Sequence, residues 1–139
     1  MENQLTKIYC DGGARGNPGP AAAAFVVEKE GKIIFRDAKF LGVTTNNVAE
    51  YQAVIIAYGW LIKNLEKNFK EIVFILDSEL VVKQLKGIFR VKNENLRNLF
   101  FTVKKLKSKI NLKISYVSVP RTKNKLADFL VNDLLDNVS

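Results

Sequence analysis

The chain has 139 residues, 47% of them hydrophobic and 26% charged, the balance of one globular domain with its own core. It holds no histidine and a single cysteine, which excludes His-ligated zinc, Ser-His and Cys-His nucleophilic catalysis, and an intramolecular disulfide. Its 22 basic and 14 acidic residues leave a formal net charge of +8, unevenly spread: between Lys83 and Lys125 the only acid is Glu94. Such a block suits either a face for a polyanion or a solvated helix rich in lysine. No apolar run approaches the roughly 20 residues of a membrane span. The start, MENQLTKIY, lacks the basic-then-apolar order of a secretory signal, so a cytoplasmic protein is expected.

In chain order, residues 5–11 alternate as a strand ending at Asp11, and Gly16-Asn17-Pro18-Gly19-Pro20 is a strong loop signal. Residues 21–29 and 32–41 are two more strands turning at Gly31. Thr44 to Asn47 supply candidate N-caps for a helix over 48–67, with Ala49, Ala53, Ala57, Leu61 and Leu65 along one stripe. The continuous apolar run from Glu71 to Asp77 reads as a central strand. Ser78 can cap a short helix that stops at Gly87. Residues 94–109 form a basic helix with Leu96, Leu99, Phe100, Val103 and Leu106 inward. A fifth strand over 111–117, a loop at 120–124 and a helix over 125–135 complete one mixed α/β sheet.

Four carboxylates stand out by their local settings. Asp11 and Asp77 end strands, Glu50 follows TTNNVA where a helix begins, and Asp128 lies in NKLADFLVND. Acids at strand ends and early helix turns can converge on one sheet edge. There they would offer hard oxygen ligands to Mg²⁺ or Mn²⁺ beside a phosphate substrate.

DGGARGNPGP, TNNVAEYQA, ILDSELVVKQL and VPRTKNKLADFLVN occur in the order and approximate spacing of type 1 ribonuclease H, and VKNENLRNL adds a match to its compact members. The chain resembles that family from residue 7 to about 132. The resemblance implies a single ribonuclease H-like domain over residues 1–139, with a five-stranded mixed sheet flanked by helices. It implies an endonuclease that hydrolyses the RNA strand of RNA/DNA hybrids with two divalent ions, leaving 5′-phosphate and 3′-hydroxyl ends. By the same resemblance Asp11 bridges both metals, Glu50 and Asp77 complete the leaving-group side, and Asp128 the nucleophile side. Gly12, Gly13, Ala14, Asn46 and Asn47 would contact ribose 2′-hydroxyls, the groups that distinguish RNA from DNA. Asn17 and Thr45 would hold a phosphate of the DNA strand, turn and cap chemistry being the bland reading of both. Double-stranded RNA is a second candidate partner, and no obligate protein partner is evident.

The sequence departs from the family in one place that matters: Ser118 stands ten positions before Asp128, where many relatives carry a histidine. Ser118 and Arg121 would form a product-release loop, with Arg121 acting by charge because it stays protonated. Phe25, Phe35, Phe74, Phe100 and Trp60 read as core, Phe89 as a residue lining a groove for the DNA strand, and Cys10 as a small buried hydrophobe. Two rivals stand beside the hydrolase: a non-catalytic nucleic-acid binder of the same fold, and a resolvase- or integrase-like nuclease.

Overall fold

The computed structural model describes residues 5–138. Strand β1 (Leu5–Ala14) leads through a tight turn to β2 (Gly19–Lys29), and a second turn leads to β3 (Lys32–Thr44). Helix α1 (Asn46–Lys63) then crosses to β4 (Glu71–Leu76), followed by α2 (Glu79–Leu85), α3 (Glu94–Lys107), β5 (Lys113–Ser118) and α4 (Lys125–Asn137). The five strands lie in the order β3-β2-β1-β4-β5. The hairpin partners β1–β2 and β2–β3 are antiparallel, whereas β1–β4 and β4–β5 are parallel. The expected mixed α/β sheet is the one observed.

Local chemistry sets the helix starts. Thr45, Ser78 and Asn93 each accept a backbone N–H with the side-chain oxygen, from Val48, Val81 and Leu96 at 3.3, 3.2 and 3.0 Å. A cap of this kind stabilises a helix by about 1 kcal/mol. α1 stops at Lys63 rather than running to Lys67, because Asn64 turns its side chain back onto the Trp60 carbonyl at 2.7 Å. Residues 65–67 then form one 3-10 turn, and Leu65 leaves the apolar stripe for the surface.

The two sheet faces are packed differently. On one, Tyr51, Val54, Tyr58 and Leu61 of α1 interlock with Ile8, Phe25, Val27 and Phe74, and α3 closes the layer with Leu96 and Val103. Truncating a large buried side chain such as Phe74 in this layer costs about 3–5 kcal/mol. On the other face Ala22 and Ala24 of β2 meet Val131 and Leu135 of α4. Of the aromatics expected inside, Phe25 and Phe74 are buried, but Phe35 is 38% exposed. It lies on the edge strand, where only one side has a neighbour, and it stacks on Trp60 at 5.2 Å. Cys10 is fully buried against the Ala53 carbonyl of α1.

Candidate active site

Because β1 and β4 are parallel neighbours, Asp11 and Asp77, each two residues past their last pair Tyr9–Ile75, fall side by side at one end of that pairing. β1 continues past Asp11, pairing Gly12, Gly13 and Ala14 with Ala23, Ala22 and Ala21, so these residues are strand rather than loop. α1 passes so close to Gly12 that a Cβ there would lie 2.2 Å from the Ala49 carbonyl carbon and 2.5 Å from the Glu50 nitrogen. Glycine at 12 is therefore demanded by helix packing. The close approach lets the Gly12 N–H donate to Glu50 Oε1 at 2.7 Å, bringing the third carboxylate beside the first. One oxygen each from Asp11, Glu50 and Asp77 lie within 4.8 Å of one another.

The fourth acid arrives from the far face. Asn124, 1% exposed, donates from Nδ2 to the Cys10 carbonyl at 2.8 Å, while its own carbonyl accepts the Asp128 N–H at 3.1 Å. The start of α4 is thereby fastened to the residue preceding Asp11. Asp128 and Asp11 line a cavity of about 170 Å³ together with Asn46 and Arg121. Sequence reasoning missed Asn124; four residues ahead of Asp128, it reads as an ordinary helix cap, and only its burial reveals the tie to β1. It also missed Arg15, which bonds Asp136 at 2.5 Å and Asn132 at 3.3 Å, clasping the β1–β2 turn to α4. Asp136 is exposed, as an acid near the end of a surface helix should be, and is nevertheless engaged.

Crowding these groups has an electrostatic cost. Burial foremost, then the charges of Asp77 and Asp128, push the Asp11 carboxyl up to about 7. Glu50 is raised well above the carboxylate range by burial and by the Asp11 charge, against the pull of the Gly12 N–H. Glu50 Oε2 and Asp77 Oδ2 are buried without a hydrogen-bond partner. Orphaned anionic oxygens are expensive unless something supplies positive charge. A hard divalent cation would satisfy both, and an all-oxygen donor set is the kind that Mg²⁺ and Mn²⁺ take. The residues fit the ion.

On the other side of Asn46 lies a second cavity, of about 420 Å³, lined by Asn17, Thr45, Asn46, Asn47, Asn93 and Asn95 among others. Asn17 Oδ1 accepts the Asn46 N–H at 2.9 Å, and Asn46 Oδ1 accepts the Ala14 N–H at 2.8 Å. With their oxygens engaged, both carboxamides keep N–H donors for an anion. Thr45 spends its hydroxyl on capping α1. Arg121 sits in a 3-10 turn beside the acids, whereas Ser118 is an exposed residue paired with Leu76 at the end of β5.

Comparison with known proteins agrees with this arrangement. A family described as reverse transcriptase-like matches residues 9–134. The bifunctional protein Rv2228c of Mycobacterium tuberculosis is 37% identical over 131 residues, 93% of this chain but 35% of its own length. Ribonuclease HI of Halobacterium salinarum is 38% identical over 130 residues, 93% of this chain and 63% of that protein. The chain thus spans about a third of the mycobacterial relative and under two thirds of the halobacterial one. Among solved structures, LC11-RNase H1 in complex with an RNA/DNA hybrid superposes with a TM-score of 0.88 at 38% identity, covering 94% of this chain and 96% of that one. With the fold, the strand-end acids and the family match in agreement, the chain belongs to the reverse transcriptase-like family and, within it, to the type 1 ribonucleases H.

Proposed function

We propose that this protein is an endonuclease that hydrolyses the RNA strand of RNA/DNA hybrids with Mg²⁺ or Mn²⁺. The observation that carries the reading is the convergence of one oxygen each from Asp11, Glu50 and Asp77 within 4.8 Å, with Asp128 opposite, where the parallel pairing of β1 and β4 ends. Four carboxylates aimed at a polyanion would only weaken a pure binding protein; they make sense where cations stand between them and phosphate. When bound, divalent ions supply Lewis-acid charge at the scissile phosphate and acidify water. Asp11, Glu50, Asp77 and Asp128 hold and orient those ions. Arg121, at the rim, attracts the phosphate end once the strand is cut.

Recognition falls to the neighbouring surface. Asn17 offers a neutral donor to a phosphate of the DNA strand, Asn46 and Asn47 offer theirs to ribose 2′-hydroxyls, and Thr45 holds the start of α1 in place beneath them. Gly13 and Ala14 line the acidic cavity and Asn46 borders both cavities; a ribose of the RNA strand would pass here, and Gly12 keeps α1 close behind. Double-stranded RNA presents the same 2′-hydroxyls and is a secondary substrate in this reading. Among the described residues no helix is long and apolar enough to cross a membrane. A lone, buried cysteine suits the reducing cytoplasm, where we place the protein.

The test is cleavage of end-labelled hybrid, double-stranded RNA and double-stranded DNA of one sequence, each with Mg²⁺, Mn²⁺ or EDTA. Hybrid should be cut only with metal and only in its RNA strand. Comparable cutting of the all-DNA duplex would favour the resolvase-like reading, and inertness of all three would favour the binding domain.

A further inference from the structure

Away from the acids, the segment between α2 and α3 is folded back against α3. The Arg97 guanidinium fastens it, donating to the Val91 carbonyl at 3.3 Å and the Lys92 carbonyl at 3.1 Å. Behind this loop lies a hollow of about 620 Å³ bounded by Phe89, Phe100, Phe101, Arg90, Lys92 and Arg97. Phe89 is 45% and Phe101 57% exposed. Past Phe100 the hollow continues into a second one of about 240 Å³, edged by Lys86, Lys104 and Lys107 over Tyr116. Lysine ammonium groups stand over three of these rings: Lys83, itself paired with Glu79 at 2.7 Å, over Phe89 at 5.0 Å, Lys104 over Phe100 at 5.4 Å and Lys107 over Tyr116 at 5.8 Å. Among the described residues no acid lines either hollow.

We propose that this tract binds an unpaired nucleic-acid strand running on from the hybrid. The exposed rings of Phe89 and Phe101 receive splayed bases, and flanking Lys and Arg follow the phosphates. A paired helix, whose bases are already stacked, has no such faces to offer. The one-signed rim selects a polyanion. Continuity selects the strand: Val91 and Lys92 at the hollow lead directly to Asn93 and Asn95 of the carboxamide cavity, so a chain leaving one enters the other. The assignment rests on the hybrid reading for that continuity alone.

The experiment measures fluorescence anisotropy in EDTA with three probes: a blunt hybrid, the same hybrid with an unpaired DNA extension of about eight nucleotides at either end, and the labelled single strand alone. One such extension lies within the span a single site of this kind covers. The extension at one end should tighten binding about tenfold. The double variant Phe101→Ala, Lys107→Gln should lose most of that gain and flatten its salt dependence by about 0.7 in log-log slope. The same variant should bind and cleave blunt hybrid within about twofold of wild type. A gain absent at both ends, or fully retained in the variant, overturns the proposal. So does displacement of the single strand by an acidic peptide at lower concentration than by unlabelled strand, which would assign the tract to a protein segment. Should blunt hybrid escape cleavage with metal, the hybrid reading fails, while the lone strand and the variant still judge the tract.

Discussion

Two cavities meet at Asn46, and they are chemical opposites. On one side, Asp11 and Asp128 line the cavity, and Glu50 and Asp77, each with one buried oxygen unpaired, crowd Asp11, a place that calls for a cation. On the other, carboxamides have their oxygens engaged internally and keep donors, a place that accepts negative charge without carrying a charge itself. Fully ionised lysines in the second cavity would compete with cations for the acids. Neutral amides can hold a phosphate nearby without disturbing the first. The two share a wall because one strand, β1, supplies Asp11 to one and Ala14 to the hydrogen bond that orders the other.

The hardest way to break the contrast is to neutralise its acidic half. Asp11→Asn should lower kcat more than about 10³-fold while hybrid binding in EDTA stays equal or tightens, because repulsion of phosphate falls. A variant retaining a tenth of wild-type kcat, about 1.4 kcal/mol of barrier, would remove Asp11 from the metal site. The complementary change makes the amide half acidic. Asn17→Asp keeps the acceptor for the Asn46 N–H but exchanges donors for charge. It should raise KM for hybrid about 10- to 100-fold with kcat changed less than about threefold. An unaltered KM would show that this cavity does not meet the substrate.

Smaller effects sharpen how the acids are held. Asn124→Ala leaves the Cys10 carbonyl buried and unpaired, costing about 1–3 kcal/mol of stability. By loosening Asp128 it should weaken the Mg²⁺-induced rise in melting temperature, at temperatures where the variant is folded. An unchanged metal shift would leave Asn124 a purely structural residue. In the metal-free protein the raised Asp11 and Glu50 carboxyls make the native state bind more protons than the unfolded one. The stability they contribute is present below about pH 4 and is lost as pH rises through about 7, on the order of 4 kcal/mol from Asp11 alone. Thermal melts in EDTA should therefore show this decline, Mg²⁺ should oppose it, and Asp11→Asn should flatten it. A stability that rises across that window would contradict the assignment. Arg121→Ala should have the smallest effect, a drop in kcat of about threefold with KM nearly constant; steady-state kinetics showing neither change would leave the product-release loop without a catalytic part.

Much of this molecule was legible before its structure, for identifiable reasons. Asp11 and Asp77 announce themselves because a strand's apolar run must end where the sheet edge meets solvent, and an acid there is visible against its neighbours. Thr45 and Ser78 announce helix starts because capping is a local hydrogen bond. Less legible was why Gly12 is glycine: the resemblance set it against a ribose 2′-hydroxyl, yet it is the passage of α1 that leaves no room for a Cβ. Phe35 resembled the core aromatics because alternation tells which face a side chain takes but not whether its strand lies at the edge.

By itself the sequence determined the element order, the four acids and the absence of any imidazole, because each depends on residues close together in the chain. Only the tertiary structure decided that Gly12 and Ala49 touch, that Asn124 ties α4 to the carbonyl before Asp11, and that Asn46 separates a cation-seeking cavity from an anion-seeking one. Those relations join segments 32 to 114 residues apart. Chain-local pattern carries no record of such distances; they are set by how a twisted sheet and its two helical layers pack.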